Sequence, residues 1–141
     1  GKVSPELRQS VAASGVEINW KGIVRREDIP EIDRSAHLLY SADINAACPN
    51  SVIEAMACGL PVIGYDTGAL KELVGPGCGE IAPYGSDVWQ LKKPDIHALA
   101  DAAQKVLSIQ ELYSKKARNF AQAHFDIQMV ADRYLSILLG V

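Results

Sequence analysis

Asn50-Ser51-Val52-Ile53-Glu54-Ala55-Met56-Ala57-Cys58-Gly59-Leu60-Pro61-Val62-Ile63-Gly64-Tyr65-Asp66 is the stretch that decides the fold. It reads as a short helix, a glycine stop and a buried strand. Asn50 is the expected N-cap, its side chain accepting from an otherwise unpaired backbone N–H. Glu54 sits in the first turns of the helix. Gly59 suits the left-handed turn that closes a helix, and Pro61 keeps the helix from continuing. Val62-Ile63-Gly64-Tyr65 is short, apolar and β-prone, with too little alternation for an exposed face, so both of its sides are expected to be covered. An open helix N-terminus beside the end of a buried parallel strand is where α/β proteins hold phosphorylated ligands.

The totals agree with a globular α/β unit. The chain has 141 residues, of which 48% are hydrophobic, enough for one domain (1–141) with a real core. No apolar run is long enough to span a bilayer. The chain opens Gly-Lys-Val-Ser-Pro-Glu, without an initiator methionine or a signal-peptide pattern, as a piece of a longer polypeptide would. A net charge of −3 with no basic block argues against nucleic acid as a partner. Cys48, Cys58 and Cys78 are odd in number and lack the close paired spacing of a zinc site. They read as reduced, mostly buried thiols of a cytoplasmic protein. No nearby histidine signal accompanies them, which argues against a catalytic cysteine.

Outward from the central stretch, residues 5–14 suggest a helix ended by Gly15. Val16, Ile18 and Trp20 alternate with polar residues, the pattern of a strand at a sheet edge. A short helix is expected over 28–36, capped by Asp28, and a second strand at Leu38-Leu39-Tyr40. Thr67-Gly68 opens another short helix through Val74. Residues 75–79 form a turn before a short strand at Glu80-Ile81-Ala82. The remainder is helical: Asp95 caps a helix whose inward stripe is Ile96, Leu99, Ala100, Ala103, Val106 and Leu107. A further helix runs over about 111–125. Asp126 caps the last one, with Ile127, Val130, Ala131, Tyr134, Leu135 and Leu138 as its core-facing stripe. Strands alternating with helices predict a Rossmann-like parallel sheet with helices on both faces.

The run Glu54-Ala55-Met56-Ala57-Cys58-Gly59-Leu60-Pro61-Val62 resembles the C-terminal, donor-binding domain of retaining glycosyltransferases of the GT-B fold (group 1, family 4-like). Trp20-Lys21-Gly22-Ile23-Val24, Ser41-Ala42-Asp43, Gly68 with Glu72, and Asp95 with Leu99 extend the likeness along nearly the whole chain, each weakly. The resemblance implies two Rossmann-like domains around a cleft, the C-terminal one holding a nucleotide-diphosphate sugar and the N-terminal one the acceptor. The chain would then be a partial GT-B C-terminal domain, and the absent acceptor domain would be its partner. The family's first C-terminal strands, with the Arg and Lys that neutralise the diphosphate, have no counterpart here. They would fall between the strands at 16–20 and 38–40, leaving a gap or an open edge that favours homo-oligomers. The resemblance also allows peripheral membrane association of the full-length protein, and it implies a last helix that reaches back to the other domain, with part of its apolar stripe exposed here.

Residue by residue, the resemblance gives Glu54 the donor ribose hydroxyls, a task for an acceptor-only carboxylate. The plainer reading is an acid stabilised near a helix start. Asn50, Ser51 and Val52 would turn backbone N–H groups toward the diphosphate, and Gly22, Ile23 and Val24 would pair with the base, or else form an ordinary turn. The family's first acid lies eight residues before the second, and Ala46 stands there, with Asp43 and Asn45 as nearby polar substitutes. Arg25 and Arg26 read as a solvated pair on a loop, and His37, His97 and His124 as structural or surface residues. No metal or other cofactor is expected if the dipole and basic groups stabilise the leaving nucleotide. The implied function is hexose transfer from a UDP- or GDP-sugar to a saccharide or lipid, with the isolated chain inactive. The alternative is a degenerate, non-catalytic binding or scaffold module. A dinucleotide-binding domain is disfavoured because no glycine-rich fingerprint follows a first strand.

Overall fold

In the computed structural model, which describes residues 2–140, the central stretch forms helix α3 (Asn50–Ala57) and strand β2 (Val62–Tyr65). Gly59, at φ +81°, turns the chain between them. All four β2 residues are buried. β2 is the middle strand of a parallel three-stranded sheet, between β1 (Leu39–Ser41) and β3 (Gly79–Ala82). Leu39 lies opposite Val62, and Val62 opposite Gly79.

Period-two alternation sends the two sides of this sheet into different cores. Val62, with Leu39 and Ile81, packs against Val52 and Met56 of α3, Leu70 of α4 (Leu70–Leu73) and Ala117 and Ala121 of α6 (Gln110–Phe125). On the other face Ile63 meets Val106 of α5 (Ile96–Ser108) and Tyr113 of α6, while Tyr65 packs with Ala82, Tyr84 and Ala102. The Tyr113 hydroxyl donates to Glu80, whose carboxylate also receives Lys105 Nζ at 2.8 Å. Burial, reinforced by that bond, pushes the Tyr113 phenol up to about 12. Burial alone would raise Glu80, but the bonds from Lys105 and Tyr113 outweigh it and hold the acid below its usual range. This knot ties β3 to both α5 and α6.

The helices begin with α1 (Pro5–Ala13), capped by the Ser4 hydroxyl, and a 3-10 turn (Arg26–Asp28) leads into α2 (Ile29–Ser35). Asp95 caps α5 by accepting from Ala98 N–H, and Asp126 caps α7 (Ile127–Leu139) by accepting from Gln128 and Met129 N–H. No helix among the described residues is long and apolar enough to cross a membrane.

Five expectations are corrected. Residues 16–20 form no strand: Val16 and Ile18 are exposed, and the segment follows a helix that buries none of its residues. The sheet therefore has no internal gap. β1 is instead an outer strand, and Tyr40 on it is exposed. Asp28 makes no side-chain cap, because Arg25 Nε and Nη2 claim its carboxylate at 2.9 and 2.8 Å. The inward stripe of α5 is rotated: Ala102 and Val106 are buried while Ile96, Ala100 and Leu107 face solvent. The α7 stripe packs only in part: Val130 and Ala131 are half-buried, no residue of the helix is fully buried, and Ile127 and Leu138 are 80% and 77% exposed. Finally, Cys48 is exposed, Cys58 half-buried and only Cys78 fully buried.

The tightest constraint is at Gly79, where a methyl group would lie 1.8 Å from the Val62 carbonyl oxygen across the ladder. Gly79→Ala must therefore push β3 off β2 and is expected to cost about 3 kcal/mol, read as a lowered urea midpoint with an unchanged slope.

Candidate functional site

Parallel strands end on one side of a sheet, so the segments after β1 and β2 share its carboxyl edge. They touch directly: Ala69 N–H donates to the Ala46 carbonyl at 2.9 Å. Gly68, at φ +55°, lies so close that a β-carbon there would sit 2.5 Å from Ala46 O and 2.7 Å from Ala46 N. The loop from β1 to α3 thus rests on the turn after β2, with Asn45 held at φ +58°. Behind this contact the Thr67 hydroxyl is buried without a hydrogen-bond partner.

This seating opens α3 at the same edge. Its N-cap is Pro49 and not Asn50, which is the first helical residue and makes no side-chain cap. Proline offers no capping oxygen, so the orphan donors of the first turn are met less than the sequence implies. Asn50 and Ser51 are exposed, and no acceptor among the described residues takes their N–H groups. Val52 differs: its side chain is buried and its N–H donates to Pro49 O at 3.0 Å. Of the three amides, two have no acceptor among the described residues.

Glu54 lies one turn on, in the second turn of the helix and on the Asn50 face, about 6 Å along the axis. It thus sits in the first turns of α3 as read from the sequence, although no acid occupies the very first turn. Its side chain is 44% exposed and opens on a cavity of about 220 Å³ between α2 and α3. Ile29, Pro30 and Asp33 line one wall, Glu54, Ala57 and Cys58 the other, and Arg26 stands at the rim with Nη2 4.0 Å from Glu54 Oε1. The two arginines have therefore parted: Arg25 is engaged by Glu27 and Asp28, and Arg26 turns to the cavity.

Two cavity groups titrate abnormally. Burial, and then the Glu54 carboxylate, push Asp33 up, with Arg34 opposing. Burial and Asp33 likewise raise the Cys58 thiol, so it stays protonated at neutral pH and is a poor nucleophile. Asp33 is the site residue that sequence reasoning missed. The signal was its place four residues after Ile29, on the face that α2 turns to α3. Gly22, Ile23 and Val24 form a bend, Ile23 being 78% exposed, and they do not line the cavity at Glu54. Ala46 is half-buried and Asp43 exposed. His124 stacks on Phe120 at 4.0 Å. Among the described residues no group of three or more His, Cys, Asp or Glu side chains could hold a metal ion.

The chemistry available is thus hydroxyl acceptance by Glu54 and Asp33, and anion donation by Arg26 and the α3 amides. Residues 1–108 match the family model described as glycosyl transferases group 1. The chain is 27% identical over 104 residues to 2-deoxystreptamine N-acetyl-D-glucosaminyltransferase of Streptomyces fradiae, covering 72% of this chain and 25% of that protein. Among solved structures it resembles sucrose-phosphate synthase from Thermosynechococcus elongatus (TM-score 0.75, 23% identity, 96% of this chain and 34% of that one). It also resembles Anabaena HepE, solved in complex with UDP-glucose (TM-score 0.67, 23% identity, 96% of this chain and 36% of that one). It therefore spans about a quarter to a third of the length of these relatives, and the two structures share the GT-B fold.

Asp33 carries a pH signature. A raised carboxyl pKa favours folding at low pH and opposes it as pH climbs through the raised value. Asp33→Asn removes that penalty, so the variant should melt higher than the parent at pH 7, and the gain should vanish near pH 3, where calorimetric scans would superimpose.

Proposed function

The chain belongs to the glycosyl transferases group 1 family, and we propose that it forms the donor half of a retaining hexosyltransferase that binds a UDP- or GDP-sugar. The observation that carries this reading is the opening of Glu54 onto a cavity rimmed by Arg26, one helical turn from two first-turn amides that have no acceptor among the described residues. A nucleoside diphosphate has that outline: a vicinal diol for a carboxylate, and an adjacent anion for N–H donors.

In this reading the Asn50 and Ser51 amides and the α3 dipole receive the diphosphate, while Glu54 accepts from the ribose hydroxyls. The bend at Gly22, Ile23 and Val24 meets the base, and Val52 contributes packing more than an amide. As the bond from the anomeric carbon to the diphosphate oxygen breaks, negative charge grows on the leaving group, where those amides and Arg26 stabilise it without a metal ion. The acceptor, a saccharide or lipid hydroxyl, is held by a second domain. The 141-residue chain acts as one nucleotide-sugar-binding domain and is inactive by itself.

A second reading has its own support. Ala46 brings no carboxylate to the donor loop, and its backbone is pressed against Gly68, so the unit could keep the fold and serve as a binding scaffold. Calorimetric titration with UDP- and GDP-sugars separates the two. The donor reading expects one of them to bind the full-length protein and Glu54→Ala to weaken it about tenfold or more, with turnover lost. Absence of binding by the full-length protein would leave the scaffold. Sugar transfer by the 141-residue chain, with no other polypeptide added, would refute its predicted inactivity.

A further inference from the structure

Between β3 and α5 the chain makes an excursion over residues 83–95 that is fixed from within. Asp95 N–H donates to Tyr84 O at 2.8 Å, the Tyr84 hydroxyl to Lys92 O at 2.7 Å and the Ser86 hydroxyl to Lys93 O at 2.7 Å. Asp87 turns its carboxylate inward onto Trp89 and Gln90 N–H at 3.0 and 3.1 Å, and its carbonyl accepts from Lys92 N–H at 3.1 Å. The tip held by these bonds presents Trp89 and Leu91, 82% and 70% exposed. Leu91 sits at φ +50°, a conformation that leucine adopts only against steric cost. Their exposure therefore belongs to a built turn and not to slack chain. Lys92 and Lys93 follow at once, both exposed, and neither has an ion-pair partner among the described residues.

We propose that this loop docks the protein on an anionic lipid surface. An indole with a leucine two positions away can enter the headgroup boundary, where tryptophan is favoured, while the paired ammoniums stay at the level of the phosphates. Charge selects this occupant. The chain as a whole carries −3 and is repelled by such a surface, whereas the loop tip sets the two lysines, unpaired among the described residues, against one carboxylate, Asp87, which its own turn holds inward. A sugar ring stacked on Trp89 would leave Leu91 and both lysines without a role. The inference holds whether or not Glu54 binds a sugar nucleotide.

The test is sedimentation of the protein with vesicles of equal parts phosphatidylglycerol and phosphatidylcholine, with tryptophan emission followed in parallel. Expected at low salt is binding about tenfold above that to phosphatidylcholine alone, lost at high salt, with a blue shift of emission. In the 141-residue chain Trp89→Phe, which leaves Trp20 as its other tryptophan, should abolish the shift. Trp89→Ser with Leu91→Ser, and Lys92→Glu with Lys93→Glu, should each cut binding about fivefold or more at unchanged melting temperature. Equal binding to neutral vesicles, no sedimentation, or a Ser double variant that binds like the parent would overturn the proposal. So would an emission shift given by soluble saccharides while the vesicles fail to bind.

Discussion

Burial of β2 on both faces is the constraint from which the rest of the architecture follows. Its side chains alternate between one core built by α3, α4 and α6 and another built by α5 and the start of α6. A strand closed in on both sides can satisfy its backbone only through two flanking strands, and β1 and β3 supply them in parallel. Parallel order in turn forces every connection back across the sheet and gathers the loops after the strands at one edge. Gly79 and Gly64 mark where this closeness leaves no room for a side chain, the first against Val62 and the second against Leu70 and Ser41.

The candidate site is a product of that gathering. Nothing in α3 alone aims its amides or Glu54. They are aimed because the preceding loop is seated on Gly68 and bonded to Ala69, and because α2 supplies the opposite wall. The pairing of Arg25 with Asp28 has a similar effect at a distance: by fixing the short turn before α2 it leaves Arg26 to face Glu54. The site is therefore a property of four segments, and its polar groups stay near solvent while its walls are apolar.

Much of this was legible in the sequence because it is local. Helix, glycine stop and apolar strand follow one another within residues 50–65, and each signal is decided by its own neighbours. Asp95 and Asp126 also cap as read. The misreadings share one physical cause, dependence on partners that a pattern does not name. The alternation of Val16, Ile18 and Trp20 fits a strand, but an extended segment becomes one only where a neighbour takes its hydrogen bonds. The stripe on α7 was correctly apolar, yet periodicity identifies a face and not what covers it. Asn50 yielded the cap to Pro49 by a single residue, the scale on which helix ends are poorly specified. Asp33 escaped notice because only its packing against α3 makes it unusual.

α7 has a thermodynamic character of its own. Thirteen residues is near the length at which an isolated helix is marginal in water, and none of these is buried. What holds them is the Asp126 cap at one end, a left-handed Gly140 at the other, and the half-buried Met129, Val130 and Ala131 near its start. With so little of it enclosed, its amides are expected to exchange with solvent before those of β2. Any surface that covers Ile137 and Leu138 would turn this loosely governed segment into a cooperative part of the whole, and the heat capacity of unfolding would rise with the apolar area so enclosed.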